Sequence, residues 1–133
     1  MKDPCWARVP VALAIVLGIG ACKAIPTKPV YRNPVISSVT AFPTLIGQGD
    51  SVLVTVVASD PDGDPLVYDW FTDGQLTIKD AWGVVYVYDT PSPSHVFYRS
   101  SGALYDSVAS VTCEVRDLTG GGDGIRIHIR LRD

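Results

Sequence analysis

Asp60-Pro61-Asp62-Gly63-Asp64-Pro65-Leu66-Val67-Tyr68-Asp69-Trp70 decides the fold. Neither proline can donate to a strand ladder, and Asp-Gly supplies the backbone conformations of a tight turn. Apolar runs flank the stretch on both sides, which predicts strand, turn, strand. In the second strand Leu66, Tyr68 and Trp70 alternate with Val67, Asp69 and Phe71, so large rings share one face. Large rings are found mostly inside, and Trp70 is expected in the core.

Upstream, Ser51 to Ser59 puts Val52, Val54, Val56 and Ala58 on one face. Val35 to Phe42 reads as a first strand ended by Pro43, and 47–50 as a turn. Downstream, Asp73-Gly74 is a turn signal and Gln75 to Ile78 a short strand. Val84 to Asp89 is a strand with both faces apolar, so its buried face is undecided. Thr90 to His95 holds two prolines and reads as a loop, and Val96 to Tyr98 as a short edge. Ser107 to Asp117 and Ile125 to Arg132 form a final hairpin across Leu118 to Gly124. The expected fold is all-β: an antiparallel sandwich of about seven strands over 35–133, with Trp70, Tyr68, Val54, Val56, Cys113 and Ile127 in its core.

The last strand is the cleanest pattern in the chain. Ile125, Ile127, Ile129 and Leu131 face in, and Arg126, His128, Arg130 and Arg132 face out. Such a row either blunts edge-to-edge pairing or meets an anionic polymer or acidic partner. Glu114 would neutralise part of it and Arg116 would add to it. Tyr86 and Tyr88 are the other candidate contact residues.

Ser59 to Trp70 resembles the B–C segment of bacterial PKD-type and cadherin-like Ig modules. Val111-Thr-Cys-Glu-Val-Arg-Asp117, with the Gly-rich turn and alternating strand after it, resembles their F–G end. The resemblance covers 35 to 132 and implies an extracytoplasmic Ig-like β-sandwich. Such modules serve adhesion, spacing, or carbohydrate and protein contact, usually without catalysis.

Residues 1 to 22 read as a secretory leader, and 1–21 as its removed part. Lys2 and Arg8 are its positive region, and Val9 to Ile19 is an apolar run shorter than the roughly 20 residues of a membrane span. Pro10 and Asp3 depart from the pattern. Ile19-Gly20-Ala21-Cys22 resembles the bacterial lipobox, which implies lipidation of Cys22 and diacyl anchoring (palmitate-type chains) at the cell envelope. An ordinary leader with an incidental Cys22 is the alternative. Lys23 after the cysteine favours the outer membrane. Residues 22–34 then form a Pro-rich tether reaching at most about 40 Å.

The net charge is −3, and removing Lys2, Arg8 and Asp3 with the leader leaves nine basic and thirteen acidic side chains. That balance argues against a nucleic-acid partner. With Cys5 removed and Cys22 lipidated, Cys113 stands alone. No disulfide is then available within the domain, and Cys113 reads as a small buried hydrophobe.

If the topology is Ig-like, the B–C and F–G loops share one end. They carry Asp60, Asp62 and Asp64, and Asp117 and Asp123. Five carboxylates can share calcium, which accepts irregular oxygen sets. They can equally be turn residues bonding their own backbone. An EF-hand match fails, with Pro65 at the glycine position and Phe71 at the bidentate glutamate position. For an enzyme the inventory is poor: no His-Glu-x-x-His, no Gly-x-Ser-x-Gly, and no nucleophile near His95 or His128 in sequence. The expectation is therefore a non-catalytic binding, adhesion or structural module, with calcium binding as its alternative. The expected partners are the membrane and an envelope protein or polysaccharide.

Overall fold

The structure is a computed structural model and describes residues 27–78, 84–99 and 108–132. The leader, Cys22, the start of the tether, 79–83 and 100–107 lie outside the described residues. Residues 31–133 form a compact unit distinct from 1–30.

Its described residues hold nine strands: β1 (Val35–Phe42), β2 (Leu45–Ile46), β3 (Ser51–Ser59), β4 (Leu66–Thr72), β5 (Leu76–Thr77), β6 (Tyr86–Thr90), β7 (Ser94–Arg99), β8 (Val108–Asp117) and β9 (Gly122–Leu131). They form two sheets, in the orders β1-β3-β7-β5 and β2-β9-β8-β4-β6. The all-β expectation holds, and the β3–turn–β4 signal is met residue for residue.

The core lies between the sheets. One sheet contributes Val52, Val54, Val56, Leu76 and Phe97; the other contributes Ile46, Tyr68, Trp70, Ala109, Val111, Cys113, Val115, Ile129 and Leu131. Alternation in β3, β8 and β9 makes this possible, since every second side chain meets the facing sheet. Ile125 and Ile127 are half-buried against the same cluster. Trp70 is fully buried and tilts against Phe97 at 5.6 Å. Cys113 is free and buried, and burial pushes its thiol up to about 12, so it is inert at neutral pH.

Two expectations are corrected, and one strand is unforeseen. The segment expected as a short edge over 96–98 is β7, which is longer and lies inside its sheet between β3 and β5. The loop expected over 90–95 shrinks to 91–93, because His95 stacks on Trp70 instead of standing in solvent. The unexpected β2 pairs in parallel with the end of β9. A two-residue strand leaves no periodicity to read.

Candidate functional site

The outer face of the five-stranded sheet collects the singled-out contact residues. Register places Tyr86 beside Phe71, Phe71 beside Thr112, and Thr112 beside Arg126. These four make one row across β6, β4, β8 and β9. The question of which face of β6 is buried is settled here: Val87 lies opposite Trp70 and packs on the core, while Tyr86 and Tyr88 turn outward. The two tyrosines are 55% and 53% exposed. The Tyr88 ring lies 5.2 Å from Tyr86 and 5.4 Å edge-on from Phe71, so the three rings brace one another.

Arg126, His128 and Arg130 are exposed on the same face, in β9. Arg126 Nε donates to Thr112 Oγ1 at 3.2 Å. Among the described residues neither Arg126 nor Arg130 enters an ion pair. Arg132 lies past the strand end, 3.8 Å from Asp50. Arg116 does not add to the basic row as expected. Its guanidinium meets Asp69 at 2.8 Å and Asp89 at 2.7 Å. Asp69 is almost fully buried. Burial alone would raise its carboxyl, but the Arg116 side chain and the Asp89 N–H (2.8 Å) hold it below its ordinary value. Asp89 itself takes a left-handed φ of 54°, a conformation that Asp tolerates better than most residues. The signal that could have found this network is Asp69 itself. An aspartate in mid-strand between rings needs a partner to be buried. Beside Arg116, Gly122 and Gly124 bring no side chains to the face, and they open a cleft of about 330 Å³ lined also by Glu114 and Asp123.

Four of the five loop aspartates have separate hydrogen-bond partners, and Asp64 is the fifth. Asp60 accepts from the N–H groups of Asp62 and Asp64 at 2.7 and 3.1 Å. Asp62 is gripped by Arg32, whose backbone N–H, Nε and Nη2 reach it at 2.6, 2.9 and 2.7 Å. Those bonds hold its carboxyl below the ordinary value. Asp117 closes the β8–β9 turn, accepting from Thr119 N–H, Thr119 Oγ1 and Gly121 N–H. Asp123 accepts from Ile36 N–H at 2.9 Å, fastening β9 to β1. Asp64 is raised by burial and by the charges of Asp60, Asp117 and Asp62. Asp60 Oδ2 and Asp117 Oδ2 are buried without a hydrogen-bond partner among the described residues. Among the described residues no group of three or more His, Cys, Asp or Glu side chains has metal-holding geometry. Sequence reasoning missed Arg32, which a Pro-rich tether composition does not mark.

Comparisons with known proteins add the fold and nothing further. No protein-family model matches the chain, and no curated protein matches it. It is similar in structure to a nucleoside hydrolase-related hypothetical protein from Saccharophagus degradans that is associated with carbohydrate metabolism. The TM-score is 0.54 at 18% identity, over 77% of this chain and 26% of that one. The chain thus spans about a quarter of that protein's length, and at this identity the likeness concerns fold alone.

Proposed function

We propose that this chain is an exported, lipid-anchored Ig-like module of PKD type. It binds at the bacterial cell envelope through the outer face of its five-stranded sheet and carries out no catalysis. The observation that carries the reading is the row itself: two tyrosines more than half exposed, braced by Phe71, in register with an unpaired arginine. Aromatic residues and arginine are the side chains enriched where proteins bind partners. The Ig-like part is supported by strand order. In Ig nomenclature, β1-β3-β7-β5 follows A-B-E-D, and β9-β8-β4 follows G-F-C. One departure is that β5, in the D place, precedes β6 in the chain. The anchor rests on the lipobox-like motif ending at Cys22, and acyl mass on that residue in membrane-fraction protein is its check.

The contact face is tested by photocrosslinking in living cells. A diazirine amino acid is placed at 86, at 126, or at 57, the last being an exposed position of β3 on the other sheet. Adducts from 86 and 126 but not 57 are expected. Adducts from 57 alone, or from none of the three, would remove the face from consideration.

A second reading, calcium at the loop end, is favoured by the buried oxygens of Asp60 and Asp117, unpartnered among the described residues, beside the Asp64 carboxyl, which burial raises first and neighbouring carboxylates raise further. Melting the full chain in calcium and in chelator tests it. A ligand at 100 times its Kd adds about 2.7 kcal/mol of stability, and equal melting temperatures would leave these aspartates as turn residues.

A further inference from the structure

We infer that the row Tyr86–Phe71–Thr112–Arg126, with Tyr88 beside it and Arg130 beyond it, is a site for an acidic polysaccharide of the uronate-bearing class. The inference rests on the proposed contact face and names its ligand.

The geometry suits an extended, thin ligand. The row crosses three strand spacings, roughly 14 Å, at right angles to the strands. It crosses a sheet face, not a pocket. At one end the Tyr88 ring stands 5.4 Å from Phe71 and 5.2 Å from Tyr86. An aromatic face carries negative quadrupole charge and attracts the weakly positive C–H face of a sugar ring. Tyrosine offers this area with few torsions to immobilise.

At the other end the chemistry changes to cation. Arg126 has its Nε committed to Thr112, which orients the guanidinium and leaves its terminal nitrogens for a carboxylate. Arg130 adds a second charge, unpaired among the described residues, on the same strand face, with His128 between them. The other charges on the face are Glu114, Asp73, and the closed Arg116–Asp69–Asp89 set. Asp73 is bonded to the backbone and hydroxyl of Ser110, at 2.7 and 3.2 Å. A ligand must therefore be apolar-faced at β6 and anionic at β9. A sugar chain bearing carboxylates is both. An anionic lipid surface would meet Asp89 and Glu114 broadside. An acidic peptide finds no groove along the row, since the cleft beside it is lined by Glu114 and Asp123.

The test is affinity electrophoresis of the full chain through gels holding polygalacturonate, dextran or polyglutamate. Retardation by polygalacturonate is expected, weakening as added salt shortens the screening length from about 10 to about 3 Å. Tyr86→Ala/Tyr88→Ala and Arg126→Gln/Arg130→Gln should each weaken it by about tenfold or more. Val57→Ala should not, with circular dichroism unchanged in every variant. Equal retardation by dextran overturns the anionic part. Retardation by polyglutamate that ignores the tyrosine variant overturns the site in favour of plain charge attraction. No retardation by polygalacturonate, with crosslinks still formed from 86 and 126, removes the ligand class and leaves the face standing. Absence of both removes the face as well.

Discussion

The Trp70 indole and the His95 imidazole stack across the two sheets, ring centroids 6.1 Å apart and planes 28° apart. Burial holds the imidazole below its ordinary value of 6.5. The folded state therefore resists taking up a proton that the unfolded chain accepts. Stability is full above about 6.5 and declines as the pH falls from there toward the lower folded value. Thermal melts between pH 7 and pH 5 should show this decline, and His95→Phe should flatten it.

Trp70→Ala should cost about 3–5 kcal/mol in urea denaturation, as expected for a large buried ring. Trp70→Phe should cost less. It keeps part of the packing and removes an indole N–H that is buried without a partner.

Arg116→Met should lower the melting temperature, because it strands the buried Asp69 carboxylate. Arg126→Met, on the same face but in no ion pair, should leave the melting temperature unchanged. Equal losses in the two variants would refute the distinction between a bracing arginine and a contact arginine.

The raised Asp64 carboxyl has the opposite sign to Asp69. Its ionised form is disfavoured in the fold, so stability is lost as pH rises above its ordinary 3.8. Asp64→Asn should thus raise the melting temperature at pH 7 in chelator, and the gain should vanish below about pH 3.8. If calcium occupies this end, the variant should also gain less from calcium than the parent does.

Gly121→Ala should destabilise by about 1–3 kcal/mol, in the range of overpacking. Its Cβ would press on Asp117 Oδ2 and stand 2.9 Å from Asn33 Oδ1. Gly124→Ala, with nothing nearer than 3.8 Å, should be silent in the same melt.

Strands β3, β4, β8 and β9 were legible because their alternation is a direct record of two faces. Strand β7 was not, because Ser94, His95 and the prolines before it read as loop. Only the partner ring of Trp70 makes His95 a half-buried strand residue. The basic side of β9 was visible through the isoleucines between its charges. The outward turn of Tyr86 and Tyr88 was invisible, since Val85 and Val87 are as apolar as they are. Register against Trp70 decides it. The neutralisation of Arg116 needs Asp89, from a strand twenty-seven residues away, and no local pattern encodes that distance.

The grip of Arg32 on Asp62 also has a mechanical side. A pull on the chain ahead of Tyr31 reaches this ion pair and the loop between β3 and β4 before it reaches β1. Past the clasp, tension runs along β1, whose antiparallel ladder with β3 extends from Val35↔Ser59 to Phe42↔Leu53. Load along a strand axis shears such a ladder, with its bonds sharing the force instead of parting one at a time. Single-molecule pulling should record a lower rupture force once Asp62→Ala releases the clasp.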